Sequence, residues 1–466
     1  MKSLLKSIQN WFNDHVFKRV VRNSFYLIIS NLISVFLTVY ITRLLGVYDY
    51  GVLGIITSYV TNINKFFSFR MNEMVVRFVS EAYEQRNLAK AGALIKFAAV
   101  IETVTSMAAF SFLVITAKFG ARIFLDDAAL SGSIIFYGLT ILTGITMETA
   151  NGVLRVINRY RAIAIVSLIQ NVLVAILVLI AAKAGLGLKA ILFAYFFGKM
   201  ILGIAPVILD LAWLPGFLGK KWWKAPLSLI TNKKEILKFT VSTNISSTIN
   251  LFARDGEVLW IGALLSPLYA GYYKTAMTVI NMVLTPINPF IDTTYPEIMR
   301  AIVNRKWNRI KRLLSKVTLV SFSWTAGTFI GLLFFGKILL FHPVNFFGYS
   351  FQIFSTDFLP SFQIIMILMG GYGIANILFW NRTLLLAFSK AGYATDVSFY
   401  AMLIKVFGTI VLVPRGPYIT ESILLSAYLA GSVIIMTFYG LLLLHRSIQK
   451  ETEVLREPYQ TKHKGR

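Results

Sequence analysis

The sequence predicts an all-α integral membrane protein of about twelve transmembrane helices, arranged as two six-helix lobes around a central cavity. Three observations predict it. Apolar runs of membrane-spanning length recur along the whole chain, Lys and Arg gather on one side of the spans those runs define, and the stretch near residue 42 resembles one near residue 262.

The 466 residues are 56% hydrophobic and 14% charged, with a mean hydropathy of +0.68. Soluble domains carry about a quarter charged residues, so the balance excludes an ordinary soluble enzyme. Spans are predicted at 23–45, 48–69, 93–117, 131–151, 162–182, 188–211, 238–263, 268–296, 314–338, 358–381, 395–413 and 419–444. The even count puts both termini on one side. With that side inside, the inner segments hold 34 of the 46 Lys and Arg and the outer loops hold 7. This is the positive-inside rule, so the net charge of +25 reads as topology and attraction to anionic lipids. No nucleic-acid partner is expected. The location expected is the cell membrane, multi-pass, with cytoplasmic termini.

Taken in order, residues 1–22 form an interfacial amphipathic helix, with Leu4, Leu5, Ile8, Trp11 and Phe12 on one face. Lys18, Arg19 and Arg22 precede the first run, which lacks a small-residue cleavage site and is a retained span. "YITRLLGVYDYGVLGI" (40–55) is the tight outer turn between the first two spans, with Gly46 and Gly51 letting the chain reverse. Six spans fill a first lobe, 23–212. Residues 213–237, with Trp222, Trp223 and several lysines, form a cytoplasmic interfacial linker. A second lobe spans 238–445, and 446–466 form a cytoplasmic tail.

The halves resemble one another at a constant offset of 220 residues. "TRLLGVYDYGVLG" (42–54) lies over "GALLSPLYAGYYK" (262–274), so that Gly51 falls on Gly271, and "FVSEAYEQRNLAKAGAL" lies over "IMRAIVNRKWNRIKRLL" without a gap. Two halves that enter the membrane in the same direction are related by an axis along its normal, with a substrate path between them.

Ionisable residues inside spans cost roughly 2.5–3.5 kcal/mol each on insertion scales and mark function or mutual pairing. In "LFARDGEVLW", Arg254, Asp255 and Glu257 cluster about Gly256 deep in the seventh span. Lys274 lies in the eighth, and Asp292 stands among Pro286, Pro289 and Pro296, where the span is expected to kink. Glu102 and Glu148 are read as lining a hydrated cavity or neutralising basic partners. Lys65, Lys199 and Lys405 are expected to snorkel to an interface. Arg70, Glu73, Arg77 and Glu81 share one helical stripe at the inner end of the second span. "GGYGIAN" (370–376) lies inside a span and reads as packing glycines. There is no phosphate-binding G-x-x-x-x-G-K-[ST] loop. There is no cysteine, and the four histidines are scattered, so no metal site and no cofactor are expected.

An outer-end Arg43 followed by Leu-Leu-Gly and Tyr-Gly, then a second span, then "VVRFVSEAYEQRN", closely resembles the polysaccharide flippases (Wzx type) of the multidrug/oligosaccharidyl-lipid/polysaccharide (MOP) exporter superfamily. The resemblance is best over residues 20–95. It implies a MATE-like fold and a non-enzymatic flippase that carries an oligosaccharide on a polyprenyl diphosphate from the inner to the outer leaflet by alternating access. It implies a cationic cavity, for which Arg43, Arg70, Arg77, Arg254 and Lys274 are the candidate anion contacts. Asp255, Glu257 and Asp292 are candidates for coupling to a proton or sodium ion. Expected partners are the lipid-linked oligosaccharide, anionic lipids and other polysaccharide-assembly membrane proteins. A multidrug/cation antiporter of the same superfamily is the alternative, disfavoured by the mixed and basic charges. A membrane glycan polymerase or ligase is a further one, disfavoured by the short outer loop 339–357.

Overall fold

A computed structural model of the chain describes residues 15–231, 233–252, 256–287, 294, 298, 301–302, 306–346, 349–388, 391–412 and 419–454. Arg254, Asp255, Asp292, most of the amphipathic N-terminal segment and the end of the tail lie outside the described residues.

The described residues are almost entirely helical. Helix α1, His15–Phe67, carries both of the first two predicted spans and is broken at one residue, Gly46, with φ 70° and ψ −178°. Only glycine adopts that conformation without steric cost. The expected outer turn is therefore this single residue, and Gly51, expected to share in it, is helical. Gly46→Ala is expected to cost about 1–3 kcal/mol, read as a lowered thermal unfolding midpoint of the purified protein.

Among the described residues, eight helical stretches are long and apolar enough to cross a membrane. Ile115, Phe334 and Phe407 are 79%, 68% and 71% exposed, as side chains solvated by lipid would be.

The chain divides into two compact units. One comprises the residues up to Leu45 together with Ile56–Thr248; the other comprises Gly46–Ile55 together with the residues from Ile249 onward. Ten residues from the start of the chain thus pack with its second half.

In the first unit, α2 (Leu88–Phe124), α3 (Ser131–Thr143), α4 (Met147–Val156), α5 (Tyr160–Lys183), α6 (Leu188–Leu218) and α7 (Lys233–Asn250) pack with the outer parts of α1. The fourth predicted span is interrupted between α3 and α4. Glu102 bridges the interruption. Its carboxylate accepts the backbone N–H groups of Glu148 (2.7 Å) and Thr149 (2.9 Å) and the Thr149 hydroxyl (2.6 Å). Glu148 in turn accepts from the Ser68 hydroxyl at 2.7 Å and from the Met71 N–H at 2.8 Å, where the chain restarts after α1. The two carboxylates line a small cavity of about 20 Å³, as one of the sequence readings had it, and they also satisfy the donors that broken helices leave inside a membrane.

In the second unit, α8 (Glu257–Leu264), α9 (Pro267–Leu284), α10 (Trp307–Gly331), α11 (Ser361–Ile377), α12 (Trp380–Ala387), α13 (Ala391–Leu412) and α14 (Ile419–Val454) pack with Gly46–Ile55. A short antiparallel pair, Val344–Phe346 and Tyr349–Phe351, lies in the loop between α10 and α11. Gly371 of "GGYGIAN" lies against the backbone of α14, where a Cβ would stand 2.6 Å from the Ala430 carbonyl oxygen. The glycine packs, as expected. Tyr372 and Asn376 of the same stretch do something else, described below.

The residues paired by the 220-residue offset meet inside this unit. A Cβ on Gly51 would strike the Pro267 carbonyl, and a Cβ on Gly271 would strike the Val47 carbonyl. Gly51 and Gly271 are one offset pair, and Val47 and Pro267 are another. The contact is reciprocal, as a two-fold axis requires.

Candidate functional site

Lys274, the last residue of the first pair of aligned strings, faces its own partner in it, Gly54. A Cβ on Gly54 would stand 2.6 Å from Lys274 Cδ, so the missing side chain is the space the lysine stem uses. The Lys274 ammonium rests 4.2 Å from the centroid of the Tyr50 ring, a cation–π contact. The Tyr50 hydroxyl is 3.4 Å from that of Thr278, one turn beyond Lys274 on α9. A half-buried cation is thereby held by an aromatic face and a backbone hole.

Deeper in the second unit is a four-residue network. Glu257, at the start of α8, is 2% exposed, and Lys405, in the middle of α13, is 5% exposed. Lys405 Nζ lies 2.5 Å from Glu257 Oε1. Tyr273 of α9 donates to Oε2 at 2.5 Å, and Tyr372 of α11 lies 2.9 Å from both oxygens. One carboxylate thus gathers an ammonium and two phenols from three other helices. Lys405 does not snorkel, because a stronger partner lies within reach: a buried carboxylate repays the loss of water better than a distant interface. An ion that couples through Glu257 has to displace Lys405.

A cavity of about 420 Å³ opens beside this network, with Lys405 and Tyr372 in its wall. Asn281, Asn376, Asn381 and Arg382 also line it. Among the described residues no group of three or more His, Asp and Glu is placed to hold a metal ion.

The basic candidates of the first unit are partnered. Arg70, in the left-handed region with φ 51°, precedes Met71–Met74 and contacts Glu73 at 2.8 Å. The next turn, Val75–Val79, is π-helical. That wider turn takes Arg77 off the stripe expected from α-helical spacing. Arg77 turns to Glu235 of α7 at 3.4 Å and lies over the rings of Phe78 and Phe239, at 4.9 and 4.7 Å. Arg43 is exposed on α1.

The sequence model of a family described as "Polysaccharide biosynthesis protein" matches residues 20–302. The chain belongs to the polysaccharide biosynthesis protein family. One curated relative is the inner membrane protein YghQ of Escherichia coli (strain K12), 24% identical over 315 residues, which cover 63% of this chain and 84% of that protein. Two solved structures share the fold of this family member. A MATE family transporter of the MOP superfamily, in an inward-facing conformation, aligns with a TM-score of 0.69 at 11% identity, covering 92% of this chain and 99% of that one. The lipid II flippase MurJ, in an inward closed conformation, aligns at 0.67 and 16% identity, covering 91% and 87%. The fold is therefore that of the MOP exporters, and the chain is a multi-pass membrane protein.

The family match takes in Arg43, Arg70, Arg77, Glu257 and Lys274 and stops before Tyr372, Asn381 and Lys405. The last three complete the buried network and its cavity from the remainder of the chain. In the sequence Tyr372 stands between glycines that read as packing residues. Its signal was a phenol in an apolar run, a group that seeks a polar partner when buried.

Proposed function

We propose that this family member is a flippase, moving a lipid-diphosphate-linked oligosaccharide from the cytoplasmic to the outer leaflet by alternating access, with both termini cytoplasmic. The observation that carries the reading is the Lys405–Glu257 pair, buried beside a cavity whose largely apolar wall carries three asparagines and Arg382. A purely structural bundle gains little from such a pair, since apolar residues fill the same space at less desolvation cost. Membership of a polysaccharide biosynthesis family supports a glycan cargo, and the fold shared with exporters supports a transport role.

In this reading the anion contacts are Arg43, Arg70, Arg77, Arg254 and Lys274. Lys274 presents its ammonium over the face of the Tyr50 ring. The guanidinium of Arg77 is oriented by two aromatic faces. Asp255 and Asp292 remain the proposed coupling carboxylates. A cationic drug as cargo is disfavoured by Lys274 and by a Glu257 already neutralised by Lys405.

The test is flipping of a fluorescent polyprenyl-diphosphate-linked sugar in proteoliposomes, read as the fraction of label protected from a membrane-impermeant quencher. Wild-type protein is expected to equilibrate the label, and failure to do so removes the proposal. Arg77→Gln is expected to slow flipping about tenfold, the equivalent of one charge-assisted hydrogen bond of ~1.5 kcal/mol. Its elution on size exclusion should be unchanged.

A further inference from the structure

The small cavity beside the break between α3 and α4 has a mostly polar wall. Glu102, Glu148, Asn64, Ser68, Thr105 and Ser106 line it, and among the described residues no lysine, arginine or histidine does. Both oxygens of Glu102 face a backbone N–H, as does Oε2 of Glu148. That arrangement fits ionised carboxylates, since a proton on any of these oxygens would set a donor against a donor. Two like charges therefore lie side by side within membrane helices, Glu102 buried and Glu148 half-buried, and each makes the other more costly. Their charged neighbours do not relieve this. Arg70 and Glu73 act on Glu148 with opposite signs and pair with each other at 2.8 Å. Among the described residues, the charged group that acts on Glu102 is Glu148 itself.

A neutral group points into the same space. Ser106 stands one turn beyond Glu102 on the buried face of α2 and is 7% exposed. Among the described residues its hydroxyl makes no hydrogen bond. The unpaired hydroxyls of Ser321 and Ser361 are sealed inside the protein, whereas that of Ser106 keeps open space before it, and the space Ser106 lines is this cavity.

A volume of about 20 Å³ holds one particle of the size of a water molecule. Water would satisfy Ser106 but bring no charge to the carboxylates. The wall offers no thiolate or imidazole, so a soft or transition metal finds no preferred ligand, while oxygen donors suit a hard cation. Calcium takes roughly six to eight oxygens. Carboxylates that already hold backbone and hydroxyl donors have too few lone pairs left for it in so small a space. A small monovalent cation needs fewer ligands and carries enough charge to separate the pair.

We propose that this cavity binds one sodium ion between the carboxylates of Glu102 and Glu148, with the Ser106 hydroxyl as a neutral ligand. The ion offsets the paired charge and ties α2 and the start of α4 to the chain just beyond α1. The site lies wholly within the first unit and is separate from the carboxylates proposed for coupling, whatever the cargo.

The test is thermal unfolding of the full-length protein, purified in sodium-free choline chloride and titrated with NaCl at constant ionic strength, with KCl and CaCl2 as parallel arms. Sodium is expected to raise the midpoint saturably, by about 2 °C or more over choline, and potassium less. Ser106→Ala breaks no hydrogen bond and removes one ligand. It should raise the half-saturating sodium concentration about fivefold, the equivalent of one lost polar contact. Glu148→Gln removes one of the two charges while its amide oxygen still accepts from the Met71 N–H, and it should abolish the sodium response; it decides the matter if the first variant fails to fold. No rise over choline, a rise undiminished in a folded variant, or a larger rise with calcium than with sodium overturns the site. A midpoint that follows pH and ignores sodium puts a proton in place of the ion and overturns it as well.

Discussion

Lys405→Met is expected to destabilise the protein by about 3–5 kcal/mol, the cost of leaving one half of a buried ion pair uncompensated. Methionine matches the length of the lysine stem, so the loss is of charge and not of packing. Glu257 would keep the hydroxyls of Tyr273 and Tyr372 but no cation. Glu257→Gln in the wild-type background strands Lys405 instead and should cost a similar amount. The double variant Glu257→Gln/Lys405→Met should recover most of the stability, because an amide accepts from both tyrosines and carries no charge to neutralise. Thermal unfolding of the four proteins in one detergent reads the cycle. Additive losses in the double variant would mean that the two residues act separately. Flipping should stay low in the double variant even where stability returns, since Lys405 is a donor to the cavity.

Gly51→Ala is expected to be as damaging as a large core substitution, although it adds one methyl group. The new Cβ would land on the Pro267 carbonyl, and neither partner is a movable side chain. Overpacking of this kind costs about 1–3 kcal/mol where side chains yield, and here the backbones have to part. Gly271→Ala makes the same collision with the Val47 carbonyl from the other side. Because one separation of the two segments relieves both clashes, Gly51→Ala/Gly271→Ala should cost clearly less than the sum of the singles. Gly132→Ala, with nothing within 4 Å of its added Cβ, is the control and should be close to neutral. Folded yield on size exclusion and the unfolding midpoint measure all four, and a strictly additive double would count against a shared contact.

The two predictions differ in how far the sequence foretold them. The glycine contact was legible: an offset of 220 residues, read from short strings with few identities, paired Gly51 with Gly271 and Val47 with Pro267, and these four residues touch. Membrane character was legible in composition and charge placement, because lipid imposes the same demands on every span. The buried network was not. Glu257 and Lys405 are 148 residues apart, and a lone lysine in a span fits an interface as well as a buried partner until the helices are placed. Arg77 was misplaced for a local reason, since a π-helical turn leaves little trace in residue spacing. Glu102 and Glu148 were noticed, but whether a carboxylate holds a cation or a helix end depends on where helices break.

Gly54 and Lys274 occupy equivalent places in the two halves, one a hollow and the other the side chain that fills it. Two identical chains meeting about an axis could not build this. Whatever stood at that place in one copy would stand there in the other, so a lysine would confront a lysine and a hollow would face a hollow. A duplicated and fused chain is released from that constraint. Its copies keep the shared backbone contact at Gly51 and Gly271, while the next turn divides its labour, one copy supplying the charge and the other the room for it.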